Sequence, residues 1–393
     1  MNTKRRDFIK TTLALGIGAS TLGASQLGAA SQALSPRIKV DKNPYSFYGP
    51  HQQGIATPAQ KHIYFMVLDL HTNSLEEIRA IFKIWTIYSA KLTSGQNVGE
   101  YTSNKLMPTL DTGEADSLGS EELTLTFGVS TSFFAKLGLD KLKPKELQDL
   151  PHFPRDQLRP EFSGGDICIQ ACSNDPQVTF HAVRNLVRVA RLQVTMKWSQ
   201  MGFNSFMGGD TPRNLFGFKD GTINPKASEL DKVVWIKGGP FDGGTYLAIR
   251  KVQMHLETWD RTHLKGQNDT FGRYRDSGAP YGGAKEFDEA DVGANTPLPA
   301  NSHVFLSKSA GAQILRRSFS YASGVDAKTG QFDAGLLFIA FQKDPEQFIR
   351  IQSALGNVDR MNEYITHIGS GLFACFGGVS DKKGDYLGKS ILG

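Results

Sequence analysis

The chain has 393 residues, 39% of them hydrophobic, which is enough to bury a large core, and this length favours two domains of about 100–200 residues each. Its formal net charge is +5, but the first ten residues contribute +3, which leaves +2 for the rest of the chain. No Lys/Arg run follows those ten residues, so we expect no nucleic-acid partner.

The N-terminus predicts an export signal. Arg5 and Arg6 precede a moderately apolar stretch rich in Gly, Ala and Thr, and small-residue motifs ending at Ala30 or Ala33 fit signal-peptidase cleavage. This pattern is typical of a twin-arginine signal, which we assign to residues 1–33. A single membrane span is the weaker interpretation, because glycines dilute a stretch barely long enough to cross a bilayer. We therefore expect export by the twin-arginine pathway to the periplasm, the cell surface or the medium.

An extended arm and a first α+β unit follow the signal. Residues 34–60 are rich in Pro, Gly and Gln and predict the arm, and residues 61–213 predict the N-terminal domain. Ser74 begins a capping box, and Asp175 precedes a proline at the first helical position, so each predicts a helix start. A high content of β-branched and aromatic residues predicts strand 62–70, and strands 123–130, 165–172 and 192–203 follow it, with helices at 74–92 and 175–191.

The second half, residues 214–393, repeats this order less clearly. Its predicted strands are 245–253, 314–321, 335–342 and 371–378, with helices at 255–261 and 344–355. The Gly-rich segment 267–301 contains no clear element and predicts a functional loop. The β-α-β-β-α-β order of each half predicts an α+β fold of two ferredoxin-like domains, each an antiparallel sheet with flanking helices.

Several common kinds of catalytic and structural site find no support in the sequence. The three cysteines cannot form a disulfide framework, and their spacing is poor for zinc, so we interpret them as buried small hydrophobes. No H-E-x-x-H or G-x-S-x-G motif occurs, which argues against a zinc hydrolase and a serine hydrolase. "GFKDG" lacks the G-x-G-x-x-G spacing of a dinucleotide site.

Two segments of the second half do suggest a site. In "NLFGFKDGTINP", Asp220 stands among glycines and phenylalanines, which suggests that it faces something large and apolar. His303 precedes Arg316 and Arg317, which lie on a predicted strand and should point to opposite faces. An arginine that turns inward there needs an anionic partner, whereas the other should stay solvated. The alternative is that "GFKDG" is a surface turn and His303 is structural.

The chain resembles the dye-decolourising haem peroxidases. The resemblance rests on the segments "GFKDGTINP", "GGTYLAIRKVQMHLETWDR", "GRYRDSGAP", "ILRRSFSY", "GLLFIAFQ" and "YLGKSILG", and it extends from about Tyr45 to the C-terminus. It is most similar to the exported branch linked to bacterial iron uptake and described as a deferrochelatase/peroxidase. The resemblance implies two ferredoxin-like domains, with one haem b mainly in the C-terminal one.

The resemblance also implies roles for individual residues. His303 would be the axial ligand of the haem iron, with an unidentified acceptor on its other ring nitrogen. Asp220 would shuttle the peroxide proton on the opposite face of the haem, and Arg316 would stabilise developing negative charge there. The remaining predicted haem contacts are Gly221, Thr222, Ile223, Lys308 and Ser309, the last two at the propionates with Arg250 and Arg273 as alternatives.

Two functions remain open at this stage. The first is a peroxidase that uses hydrogen peroxide to oxidise phenols, dyes or ferrous iron, and a distal acid with an arginine favours it. The second is a deferrochelatase that releases iron from haem and leaves the porphyrin intact. The resemblance further implies a homodimer and, as a partner, an iron-uptake membrane system.

Overall fold

The computed structural model describes residues 43–206 and 210–393. The predicted signal, residues 1–33, and the first part of the predicted arm lie outside the described residues. Within the described ranges, no helix is both long enough and apolar enough to cross a membrane.

The described chain contains nine strands and nine α-helices. The strands are β1 His62–Leu70, β2 Thr124–Val129, β3 Ile167–Ser173, β4 Val194–Phe203, β5 Thr245–Met254, β6 Leu315–Arg316, β7 Phe319–Val325, β8 Phe332–Gln342 and β9 Ile365–Cys375. The helices are α1 Leu75–Thr93, α2 Thr131–Leu137, α3 Pro176–Ala190, α4 Leu230–Val233, α5 Leu256–Trp259, α6 Leu264–Phe271, α7 His303–Ser309, α8 Pro345–Leu355 and α9 Lys389–Leu392. The predicted strand 314–321 is therefore two strands, β6 and β7, and the predicted loop 267–301 begins inside α6.

The strands form one closed antiparallel ring. The first half pairs in the order β2-β3-β1-β4, and the second half has the equivalent order β7-β8-β5-β9, with the short β6 added to β8. Pairings β4–β7 and β2–β9 then join the two halves. The α+β composition and the antiparallel pairing are confirmed, whereas the prediction of two separate sheets is wrong. The edge strands of each half pair with those of the other, which leaves no exposed edges between them.

Local sequence signals fix the longer helices. Ser74 caps α1 by accepting from the backbone N–H of Glu77, as the capping box predicts. Asp175 caps α3 by accepting from two backbone N–H groups, and Asp344 caps α8 in the same way from Glu346. In both α3 and α8 a proline occupies the first turn, where its missing N–H costs no hydrogen bond.

Two apolar clusters pack on the two faces of the ring. One combines alternate residues of β1, β5 and β8 with Trp198 and Tyr321, and it fills the inside of the ring. The other packs α1 and α3 against the outer face and includes residues of both halves, such as Trp85 and Phe376. All three cysteines are fully buried in or beside the inner cluster, which confirms their interpretation as small hydrophobes.

Candidate functional site

A cavity of about 690 Å³ opens between β5, β8, α7 and α8. All of its lining residues fall between Asn214 and His367, so the second half of the chain forms its wall. Most of that wall is apolar, with Phe216, Met254, Phe271, Leu336, Ile351 and Met361 among the lining side chains. A cavity of this size and character is typical of a site for a cofactor or another large apolar ligand.

His303 lies in this cavity at the first position of α7. Its Nδ1 is 2.7 Å from Oδ2 of Asp359, whose side chain is 2% exposed and also accepts from the backbone N–H of Met361. Because a carboxylate only accepts, Nδ1 carries the hydrogen, and the lone pair of the neutral ring is on Nε2. Nε2 makes no hydrogen bond to any residue in the described ranges. This arrangement presents an oriented imidazole to a metal ion.

Asp220 and Arg316 form an ion pair that lines the same cavity. Arg316 Nη1 donates to Asp220 Oδ1 over 2.8 Å, and both side chains are partly exposed, at 25% and 16%. Asn224 joins their segments, since its side chain accepts from the backbone N–H of Arg316 and donates to the carbonyl of the same residue. An acid and a guanidinium in contact can together move a proton and stabilise negative charge.

The segment around Asp220 depends on two glycines. Gly217 and Gly221 have φ angles of 83° and 108°, which residues other than glycine rarely adopt. A Cβ atom at Gly221 would meet no other atom within 4 Å, so the backbone there borders open space. Phe216 lines the cavity, whereas Phe218 faces away from it and stacks on Phe271, with ring centroids 4.0 Å apart.

The other predicted contacts do not all reach the large cavity. Thr222 and Ile223 line it, whereas Gly221 lines a smaller neighbouring cavity. Lys308 also lines the large cavity, but its ammonium donates to Oε1 of Glu289 over 2.9 Å. Ser309 is exposed and is not part of either cavity wall.

Arg317 differs from the prediction. It is the more buried of the two adjacent arginines, at 6% exposure, whereas we expected one of the pair to stay solvated. Its guanidinium donates to the carbonyls of Thr57 and Pro58 and to the side chain of Gln60, so neutral oxygens of the arm bind its two terminal nitrogens in place of an anion. Arg317 therefore fixes the arm to the ring and borders the smaller cavity, whereas Arg316 lines both cavities.

A buried charged group lies beside His303. Arg250 is 1% exposed and pairs with Asp156, so it is not a solvated arginine. His367 lines the cavity next to this pair, with Nδ1 4.0 Å from Asp156 Oδ1. Burial, together with nearby Arg250 and His303, lowers the pKa of His367 from 6.5 to about 3. Arg250 already balances the charge of Asp156, so His367 stays neutral.

A second cavity of about 330 Å³ adjoins the first. Four lining residues belong to both cavities, and they include Asp220 and Arg316. Its wall is about equally polar and apolar; Asn204, Asn224 and Ser318 contribute polar groups, and part of the wall comes from residues 55–59 of the arm. The ion pair can therefore be reached from the smaller cavity as well as from the larger one.

The sequence identified Asp220, His303 and Arg316 but missed three residues that hold them. Asp359 is 56 positions from His303, and Asn224 is 92 positions from Arg316. Glu286, which contacts both sides of Asp220, lies in the segment that showed no clear element. Asn224 stands inside "GFKDGTINP", so its proximity to Asp220 was the available signal, whereas neither carboxylate has a local one.

Two family models match most of the chain. The model described as Dyp-type peroxidase, N-terminal, matches residues 52–204, and the model described as Dyp-type peroxidase, C-terminal, matches residues 211–380. All residues that line the larger cavity lie within the second match.

Individual proteins are similar over nearly the whole chain. A deferrochelatase of Escherichia coli K12 is 35% identical over 414 aligned positions, which cover 99% of this chain and 96% of that protein. A DyP-type peroxidase of Streptomyces coelicolor is 33% identical, with a TM-score of 0.83 over 91% of this chain and 99% of its own. DtpA of Streptomyces lividans, solved as an oxyferrous complex, is 34% identical, with a TM-score of 0.83 over 91% and 100%.

Proposed function

This chain belongs to the Dyp-type peroxidase family, and from that premise we propose a haem b peroxidase that uses hydrogen peroxide to oxidise phenolic, dye-type or ferrous substrates. The observation that carries the proposal is the content of one apolar cavity. It holds an imidazole oriented by Asp359, whose Nε2 makes no hydrogen bond among the described residues, and an acid paired with an arginine.

The cavity fits haem b in three respects. The apolar wall suits the porphyrin, and the Nε2 of His303 suits the iron. Lys343 and Arg350 line the cavity and offer positive charge to the propionates, in addition to the predicted contact Lys308, whereas the predicted contact Ser309 lies outside the cavity wall. Asp359 would strengthen the donation of His303 to the iron by accepting from its Nδ1. Haem, when bound, supplies the redox-active iron at which the O–O bond is cleaved.

The residues of the chain supply the proton transfer. Asp220 accepts a proton from one oxygen of the peroxide and returns it to the other, which leaves as water. Arg316 donates hydrogen bonds to the oxygen on which negative charge develops. The ion pair between them keeps each side chain oriented before peroxide arrives. The smaller cavity is the proposed access for peroxide, because it reaches both residues.

The absorption spectrum of the purified protein tests this function. A Soret band should be present, and peroxide should shift it in the wild type but leave it nearly unchanged in Asp220→Ala and Arg316→Leu. The variant His303→Ala should lose normal haem binding. A wild-type protein that stays colourless after haem supplementation would overturn the proposal.

Iron release from haem is the second candidate, because relatives that cover 99% of the chain carry the name deferrochelatase. Product analysis distinguishes the two. Intact protoporphyrin with released iron supports the deferrochelatase, whereas oxidised phenol with unchanged haem supports the peroxidase.

The domain description, the export route and the oligomeric state are also proposals. The equivalent strand orders of the two halves support a description as two ferredoxin-like domains, at 61–213 and 214–393. The sequence of residues 1–33 supports export by the twin-arginine pathway, and mass spectrometry of the mature protein would locate the cleavage site. A homodimer that works with an iron-uptake membrane system rests on the family resemblance, and sedimentation tests the dimer.

A further inference from the structure

Glu286 contacts the segment of Asp220 from both sides. Its Oε2 is 2.5 Å from Nζ of Lys219, and its Oε1 accepts from the hydroxyl of Thr222 over 3.1 Å. The Glu286 side chain is only 9% exposed. Burial alone would raise its pKa, but hydrogen bonds from Lys219, Thr211 and Thr222 lower the pKa below its usual value. Glu286 is therefore a nearly buried carboxylate that accepts from Lys219, immediately before Asp220, and from Thr222, two positions after it.

The Asp220 segment needs such a tether. Gly217 and Gly221 give its backbone freedom, and a Cβ atom at Gly221 would find no neighbour within 4 Å. The stem of Lys219 packs so closely on Gly278 that a Cβ atom there would lie 2.8 Å from Lys219 Cδ. The loop that follows α6 thus contacts Lys219 twice, through the backbone of Gly278 and through the carboxylate of Glu286.

The same loop also contacts the helix of the proposed iron ligand. Lys308 of α7 donates to Oε1 of Glu289 over 2.9 Å and to the carbonyl of Ala290. Ala290 is 3% exposed and belongs to the apolar cluster of Val304, the residue after His303. The five residues from Glu286 to Ala290 therefore join the Asp220 segment to α7.

We propose that residues 286–290 form a strap that joins the Asp220 segment to α7, and that Glu286 is the residue that positions Asp220 for its reaction with peroxide. Glu286 acts through Lys219 and Thr222 and does not itself touch the reacting atoms. The catalytic part of this inference rests on the proposed peroxidase function, whereas the tether itself does not.

The expected effect follows from the tolerance of proton transfer to geometry. A displacement of about 1 Å in a catalytic group can cost on the order of 100-fold in rate. Glu286→Ala should therefore lower the second-order rate constant for the reaction with peroxide by about 10- to 100-fold. Glu286→Gln should recover much of the loss, because its amide oxygen can still accept from Lys219 or Thr222.

Hydrogen–deuterium exchange of the full chain as purified tests the tether without reference to activity. Amides of residues 214–225 should exchange faster in Glu286→Ala and in Lys219→Met than in the wild type. Lys285→Ala is the matched control, because it removes the charged side chain of the residue next to Glu286. Within the described residues, the Lys285 side chain makes no hydrogen bond, and only its backbone N–H donates, to Asp288. Unchanged exchange in 214–225 in both tether variants would overturn the proposal, whether or not the protein proves to be a peroxidase.

Stopped-flow mixing with peroxide tests the positioning role. The double variant Glu286→Ala with Lys219→Met should react about as slowly as Glu286→Ala alone, because Glu286→Ala already removes the contact that Lys219→Met removes. If Glu286→Ala exchanges faster in residues 214–225 but reacts with peroxide at the wild-type rate, the role of Glu286 in positioning Asp220 is refuted. Full additivity of the two variants would refute it as well. If Glu286→Ala fails to fold, Lys219→Met, which removes the other partner of the same contact, gives the comparison with the wild type.

Discussion

The contact between His303 and Asp359 makes a quantitative prediction about the haem iron. Asp359→Asn keeps the shape of the acceptor and its cap on Met361 but removes the negative charge opposite Nδ1. A hydrogen bond to a charged group contributes about 1.5–3 kcal/mol, and we assign on the order of 1–2 kcal/mol of it to preferential stabilisation of ferric iron. A factor of ten in an equilibrium constant corresponds to about 1.4 kcal/mol and, for one electron, to about 59 mV. The midpoint potential of the haem iron should therefore rise by about 40–90 mV in Asp359→Asn.

A potentiometric titration followed through the haem absorption bands measures this shift. Asp344→Asn is a matched control, since Asp344 also caps a helix but contacts Glu346 and Gln347. The control should leave the potential unchanged. A rise in Asp359→Asn of less than about 20 mV would show that the carboxylate does not tune the imidazole, and the reasoning from the 2.7 Å contact would fail.

Three further predictions concern stability. Arg250→Met should lower the free energy of unfolding by about 3–5 kcal/mol in a denaturant titration, because it leaves Asp156 buried without its partner; a loss below 1 kcal/mol would contradict this. His367 has a pKa of about 3 when folded and about 6.5 when unfolded, so its contribution is complete above pH 6.5 and is lost as the pH falls towards 3. Unfolding of His367→Gln should therefore depend less on pH in that range, by roughly 5 kcal/mol at most, and an identical pH profile would refute the assignment. Gly221→Ala should cost about 1–2 kcal/mol through its φ of 108° alone, measured by thermal unfolding, and a neutral effect would show that the segment relaxes.

The sequence predicted what local rules decide. The caps at Ser74, Asp175 and Asp344 involve residues two or three positions apart, and the corresponding helices begin where they were predicted. The β-branched and aromatic content that predicted β1 and β5 is likewise a property of neighbouring residues. Asp220, His303 and Arg316 were recognised through a family resemblance, because no local rule brings them together.

What the sequence missed depends on contacts between distant segments. The ring closes where Phe203 pairs with Ser320, and nothing in either strand specifies that partner. Arg317 was expected in solvent because strand alternation places its side chain opposite to Arg316. The prediction for Arg317 did not place the arm against this strand. Carbonyls of the arm accept hydrogen bonds from the buried guanidinium. A charged residue on the second face of a strand is therefore exposed only if no other segment covers that face.

The two halves of the chain contribute differently to the site. Among the residues that the structure describes, only those from 214 onwards line the larger cavity. The first half stabilises the wall of this cavity indirectly. Asp156 balances the charge of the buried Arg250 of β5, the strand that carries three lining residues. Its arm, held by Arg317, forms part of the smaller cavity that leads to Asp220. Changes in the arm should therefore alter the access of peroxide to Asp220 before they alter the binding of haem, because the arm lines one cavity and not the other.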